Sequence, residues 1–569
     1  MHDLVIRGGT VIDGTGRERF EADVAVDGAR VSRIGRVVGR GRREITAAGR
    51  LVTPGWVDVH THYDGQATWD PDMTPSILHG VTTVVMGNCG VGFAPASPAQ
   101  HDFLISLMEG VEDIPGAALA EGLSYEWESF PEFLDHLERL PRTLDVAAQM
   151  PHHALRVYVM GERAARHEDA RVEDVERMAD LTAEAVRAGA LGFTTSRTYV
   201  HRTSAGAPVP GTFAAPDELV GIARGMGGTG RGAFGMISDF TDEDADLAWM
   251  RRVVEVSGRP LWFLLVRWDH EGEKWRRMLE RTAAAAADGL DIRAQVASRP
   301  IGTLMGLQGS LHPFIAHRAY RPLAALPVAQ RAARMRAPEV RRSILAEERE
   351  VKSAFMRTVT RDFHKLYPMG DPLDYEPARE TSVAGIAERD GLDPKALAYD
   401  LLCEGDGTRL FFFPINNYGD GDLDSVGEMM RHPRTLLGLG DGGAHCGVIC
   451  DASMPTTLLS HWGRDRTRGE RLPLEWLVKR QTSDNAEYFG LADRGRIVPG
   501  AKADLNVIDF DRLGVRLPHI VHDLPAGGRR LTQEALGYEA TVVAGEVVLE
   551  HDTLTGARPG RLVRGRGGA

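Results

Sequence analysis

The sequence predicts an α/β fold: a parallel (β/α)8 TIM-like barrel, a small β-sandwich domain formed by both chain ends, and a helical insertion between the seventh and eighth barrel strands. Three observations predict it. Eight short apolar runs alternate with stretches of helical period along the middle of the chain. Both ends carry closely spaced strand-and-turn patterns. One gap between apolar runs, of about 140 residues, is far longer than a single crossover needs.

Taken in order, residues 3–50 read as short strands joined by tight turns. Gly8-Gly9 separates two apolar runs in "DLVIRGGTVID", and Asp27-Gly28 does so in "ADVAVDGARVSRIG", a two-residue hairpin signal. The far end repeats the style in "ADLNVIDF" and in "ATVVAGEVVLEHD", which turns near Ala544-Gly545. Pairing the two ends into one domain removes the exposed strand edges that each would leave alone. The barrel strands are then 51–59, 81–90, 144–153, 190–196, 232–240, 260–266, 290–298 and 435–445. Helix-period stretches such as "VEDVERMADLTAEAVRAG" and "WRRMLERTAAAAADG" lie between them. The domains become 1–52 and 491–560 for the sandwich and 53–490 for the barrel, with the insertion at about 300–430. That insertion, Arg-dense in "QRAARMRAPEVRRSILAEERE", reads as lying over the barrel mouth, or else as a surface excursion unrelated to the site. The "RLVRGRGGA" end, 561–569, reads as a disordered tail.

Composition narrows the function. The chain has 569 residues, 43% hydrophobic and 26% charged, an ordinary globular balance. Its net charge of -13 argues against a nucleic-acid partner, since phosphate contacts require a basic face. Four cysteines, Cys89, Cys403, Cys446 and Cys450, give no disulfide framework. Neither a signal peptide nor an apolar run long enough for a membrane span is visible, so a soluble cytoplasmic protein is expected, with assembly into a homo-oligomer left open.

The chemistry concentrates at predicted strand ends. His60 and His62 follow the first strand in "LVTPGWVDVHTHYD", and residues i and i+2 of a strand share a face, here the barrel interior. With 20 histidines in the chain, roughly 0.7 such pairs arise by chance, so position and not spacing carries the signal. Cys89 follows the second strand in "MGNCGVG", and His152 and His153 end the third. Asp441 ends the eighth in "GLGDGGAHCG". A buried cysteine is more often inert packing, and an Asp among glycines is usually a turn residue. His60, His62, Cys89 and Asp441 together, at the ends of three strands of one barrel, are harder to explain structurally. Arg197, after the fourth strand, and Arg299, after the seventh, are candidate anchors for a substrate carboxylate, against the plainer reading of ion-pair arginines.

"LVTPGWVDVHTHYD", "DMTPSILHGVTTVVMGNCGVGFAP", "GDGGAH" and "NAEYFGLADRGRIVPGAKADLNVIDFD" resemble the amidohydrolase superfamily, and within it the N-acyl-D-amino-acid deacylase (D-aminoacylase) family. The resemblance covers most of the chain and is weakest from about 300 to 400. It implies a metal-dependent barrel with a β-sandwich from both ends, and His60, His62, Cys89 and Asp441 as metal-site residues. Asp441 would also be the catalytic acid/base. His445 and Tyr199 match family positions in the substrate site, and His152 matches a family histidine after the third strand. The family's histidines on strands five and six have no counterpart: Ile237 and Leu265 stand about where they belong, and His270 lies several residues too far on. One zinc ion in the surviving site is the expected cofactor, with Cys446 a weaker candidate for a lost ligand. The expected reaction is hydrolysis of a small-molecule amide, an N-acylated D-amino acid or another amide such as a cyclic imide, a carbamoyl compound or a modified peptide. A non-catalytic barrel with a binding role is the remaining alternative.

Overall fold

The computed structural model describes residues 1–348 and 354–565. Eight parallel strands, labelled in chain order, run β1 (Trp56–Asp58), β2 (Val81–Met86), β3 (Asp145–Ala148, continued by Met150–Pro151), β4 (Gly192–Arg197), β5 (Ala233–Ser238), β6 (Leu261–Leu264), β7 (Ile292–Val296) and β8 (Thr435–Leu437). Each pairs with the next: β1 with β2 and β2 with β3, then β3 to β4, β5, β6, β7 and β8 in turn. Across the remaining gap the Asn485 side chain donates to both the Val57 and the Leu437 carbonyl, at 2.9 and 2.8 Å. Beyond the strand ends, Asp441 N–H donates to His60 O and His62 N–H to Gly442 O, at 3.0 and 2.8 Å. The strands therefore follow one another in a ring.

Strands buried on both faces need apolar residues at nearly every position, which is why β2 reads "VTTVVM" without polar alternation. Val57, Val59, Val85, Ala147, Leu191, Ala233, Trp262 and Leu436 fill the inside of the ring. The Trp262 indole lies across β5, where a Cβ on Gly235 would come within 2.2 Å of it, so no larger residue fits there. The amphipathic helices Val172–Ala188, Pro216–Gly227, Glu243–Ser257 and Lys274–Ala287 cross between strands and bury their apolar faces in the outer core.

Both chain ends meet in one nine-stranded sheet. Leu505–Ile508 pairs antiparallel with Leu51–Pro54, the strand that leads through Gly55 into β1. Gly8-Gly9 is not the turn its glycines suggest. One strand runs from His2 to Val11, and the register shift between Ile6 and Gly9 makes a bulge there.

Two further expectations need correction. The insertion is not purely helical. Ile301–Met305, Tyr367–Pro368 and Phe411–Asn416 form a three-stranded antiparallel sheet. With helices such as Val328–Met335 and Pro394–Leu402 it builds a separate core around Phe314, Tyr399, Phe411 and Phe413. The tail, in its described part, is also ordered. Arg561 O and Val563 N–H bracket Val146 of β3, at 3.0 and 2.7 Å, and Gly565 N–H reaches Gly189 O at 2.9 Å. Val563 packs against the ring interior, and Arg564 pairs with Asp135 and Glu138. A basic, glycine-rich composition suggested disorder, but unfilled backbone groups of β3 give this segment partners. Residues 566–569 lie outside the described part of the chain.

Candidate metal centre

His60 and His62 extend β1 past its last paired residue. Asp58 Oδ1 accepts the His60 N–H at 3.1 Å, and burial pushes the Asp58 carboxyl up to about 7. Its other oxygen lies where a Cβ on residue 440 would sit, 1.9 Å away, so only glycine lets β8 pass this close. The two imidazoles are oriented from behind. His60 Nδ1 meets Gln295 Oε1, and His62 Nδ1 faces Glu112 Oε1 at 3.3 Å. With the Nδ1 atoms so engaged, both Nε2 atoms point to a common space.

Cys89 enters that space from the turn after β2. Its φ of 55° is left-handed, and Asn88 holds the turn by donating to Thr61 O and Val85 O at 3.0 and 2.9 Å. Cys89 Sγ lies 3.3 Å from His60 Nε2 and 3.7 Å from His62 Nε2. Asp441, also left-handed at φ 47°, places Oδ1 at 3.7 and 3.5 Å from the same two nitrogens. All four side chains are buried. Burial lowers His60 to about 4 and His62 to about 3, so both rings are neutral at pH 7. Burial pushes the Cys89 thiol well up, with Glu112, Asp441 and Asp64 adding to the shift.

Glu112 is a residue that sequence reasoning missed. It ends the helix His101–Glu112 and is 1% exposed. Its second oxygen faces His445 Nε2 at 3.5 Å, and its backbone carbonyl accepts the His445 N–H. The signal was available, because Leu104, Leu107, Met108 and Val111 mark the apolar stripe of this helix and Glu112 falls on it. His201 was missed as well. Its Nδ1 meets Ser196 Oγ at 2.9 Å. Burial, then the nearby His445, His62 and His60, lower it to about 3. His445 is likewise lowered to about 4 by burial, and its ring is 6.4 Å from that of His62.

Other expected site residues lie elsewhere. Thr194 and Ser196 face inward, so alternation sends Arg197 outward, over the Trp249 ring and 3.5 Å from Asp246. His152 also lies outside the ring, between Thr195 Oγ1 at 2.8 Å and Glu218 Oε1 at 2.9 Å. Tyr199 is 54% exposed and packs on Phe213. Arg299 is buried but already paired, with Asp451 at 2.8 Å and its guanidinium over Tyr375. His270 sits beside Trp268 in an exposed turn. Cys446 is buried, yet among the described residues the clustered ligand-type set is His60, His62 and Cys89 without it. On β6 Leu265 packs in the outer core, and Leu264, on the face of Trp262, is the inward position.

Comparison with known proteins bears on the family and the fold. A family model described as the amidohydrolase family matches residues 43–549. The chain is 28% identical to the D-aminoacylase of Alcaligenes xylosoxydans xylosoxydans over 565 residues, 99% of this chain and 97% of that one. Among solved structures, a D-aminoacylase described with a binuclear metal centre superposes with a TM-score of 0.65 at 24% identity, covering 99% of this chain and 100% of that one. The N-acyl-D-glutamate deacylase of Bordetella bronchiseptica, complexed with zinc and a phosphonate inhibitor, gives 0.63 at 24% identity over 99% of both chains. These likenesses support a TIM-barrel with an additional domain. With the matched segment spanning most of its length, the chain belongs to the amidohydrolase family.

Proposed function

We propose that this protein is a metal-dependent amidohydrolase that cleaves the amide of an N-acylated D-amino acid or a similar small amide. The scaffold we infer is a closed (β/α)8 barrel with a β-sandwich beside it. The observation that carries the reading is the convergence of two Nε2 atoms and one Sγ in a buried space, with Asp441 Oδ1 3.5 and 3.7 Å from the nitrogens. Ligands at Zn–N of about 2.0–2.1 Å and Zn–S of about 2.3 Å stand roughly 3.3–3.6 Å apart, close to the spacing of Cys89 Sγ from the two Nε2 atoms, whereas Asp441 lies outside this clustered set and reaches the ion by a shift of its side chain. Asp441 Oδ1, which faces both Nε2 atoms, is also buried without a hydrogen-bond partner, as expected where a cation belongs. A single ion fits best, because β5 and β6 present Ile237 and Leu264 where a second set of imidazoles would be needed.

His60, His62, Cys89 and Asp441 would hold the ion. When bound, it supplies Lewis-acid polarisation of the scissile carbonyl and a lowered pKa for the attacking water. The chain's own residues do the rest. Glu112 and Gln295 fix the imidazole planes, and the Asp441 carboxylate accepts the proton of the attacking water and returns it to the leaving nitrogen. His445 and His201, neutral and adjacent, are placed to orient the substrate by hydrogen bonds.

Metal analysis and an activity screen test this together. Protein purified without added metal should carry about one zinc per chain and lose it in the His60→Ala/His62→Ala variant. N-acyl-D-amino acids should be hydrolysed in preference to their L forms. Asp441→Asn should lower kcat by roughly 10²–10⁴-fold. Protein that binds no divalent ion and turns over no amide would leave only the non-catalytic reading. The absent strand-five and strand-six imidazoles favour a second reading, in which the amide belongs to a cyclic imide, carbamoyl compound or modified peptide. Metal binding with activity on those alone would select it.

A further inference from the structure

Buried arginines in this acidic chain commonly face carboxylates, as Arg299 does Asp451, Arg466 does Glu376 and Arg494 does Asp145. Three arginines around one cleft between the insertion and the Gly528–Thr532 strand do not; Arg331 and Arg529 are half-buried and Arg321 is exposed. Arg321, Arg331 and Arg529 form no ion pair among the described residues. Arg331 donates to Leu307 O, Leu326 O and the Tyr320 hydroxyl, while its Nε is buried without a partner. Arg529 donates to Gly309 O at 3.3 Å. The three line a cavity of about 350 Å³ with Ser310 and Tyr320, and none of its described lining residues is acidic.

We propose that this cleft binds the carboxylate or phosphate group of a small anionic molecule, at a site separate from the metal centre. Guanidinium groups offer forked N–H donors that match such oxyanions, and neighbouring positive charges left unneutralised in a chain of net charge -13 leave a local field that favours an anion. The volume is at the lower end of small-molecule sites. An opposing charge, Asp113, lies within electrostatic reach of Arg529. Its carboxylate is already taken up by the Gly447 N–H at 2.9 Å and by Ser310. The cleft also touches the active-site scaffold, because Ser310 N–H donates to Gly447 O at 3.0 Å, two residues beyond His445. The proposal stands independently of the hydrolase reading.

Titration calorimetry of the full chain with inorganic phosphate tests it. The wild-type protein should bind one phosphate saturably, more weakly as salt is raised. An Arg321→Ser/Arg529→Ser variant, which keeps the Arg331 contacts that brace the cleft, should bind about tenfold or more weakly at an unchanged melting temperature. Asp441→Asn and the chelator-stripped protein should bind as the wild type does. Equal affinity in the double variant, no saturable binding, or binding that disappears with the metal would each overturn the assignment.

Discussion

At the scale of single residues, the proposed metal centre would depend on groups one step behind its candidate donors. Glu112 places one oxygen 3.3 Å from His62 Nδ1 and the other 3.5 Å from His445 Nε2, so one acidic side chain, its carboxyl pushed well up by burial, lies behind both rings. Glu112→Gln keeps the volume but halves the acceptor capacity. Zinc affinity, measured by competition with a chromogenic chelator, should fall about 10–100-fold. An unchanged affinity would mean that His62 is held by packing alone. Cys89 poses a separate question, since burial keeps its thiol protonated in the absence of a cation. If its sulfur is a ligand, the cobalt-substituted protein should show a thiolate-to-cobalt charge-transfer band in the near ultraviolet, and Cys89→Ser should abolish it while leaving the weaker visible bands. A spectrum unaltered by that substitution would remove sulfur from the ligand set.

At the scale of elements, the inserted segment is locked to the barrel by a buried charge cluster. Glu376 accepts from Arg466 at 3.1 Å, from His461 at 2.7 Å and from the Leu423 N–H at 2.9 Å. Burial opposes the Glu376 charge, but these hydrogen bonds outweigh it and hold the carboxyl at about 2, below its ordinary 4.5. A depressed carboxyl stabilises the fold above its unfolded pKa and loses that contribution as pH falls through the folded value. The window is therefore about pH 4.5 down to 2. Glu376→Gln should melt lower than wild type at pH 7, with the gap closing as pH drops towards 2 in paired thermal scans. A gap independent of pH would locate the effect in packing. This element was also the least legible in the sequence. "FFFPIN" is a continuous apolar run, and without alternation it reads equally as buried helix or strand. The barrel strands were legible because helices of clear period separate them. That His60, His62 and Cys89 would come together with Asp441 beside the imidazoles was legible because strand ends define one face. Arg197 failed by one residue of alternation, and Glu112 was missed because it comes from a helix, although its place on that helix's apolar stripe marked it as buried.

At the scale of the whole molecule, the two termini close the architecture from opposite sides. The N-terminal strands pair with Leu505–Ile508 beside the barrel, whereas the last described residues return to the barrel itself. β3 pairs with β4 through Met150–Pro151, with one further bond from Leu191 N–H to Ala148 O, so the Asp145–Ala147 part of β3 has no β4 ladder on that side. The tail fills the gap: Gly560 N–H reaches Arg142 O, Arg561 O accepts from Val146 N–H, and Val563 N–H donates back to Val146 O. Arg561 N–H donates to Asp145 Oδ1 at 2.9 Å, and Val563 covers apolar residues of the ring interior. Removing residues 560–569 would expose those backbone groups and that apolar surface together. At about 0.5–1.5 kcal/mol for each net hydrogen bond, the loss amounts to several kcal/mol. The truncated protein should therefore melt several degrees below the full chain and exchange the amides of β3 faster, while any zinc affinity of the proposed centre beyond the far strand ends is kept. Truncation that leaves both the melting temperature and β3 exchange unaltered would show the tail to be a passenger on a barrel already closed without it.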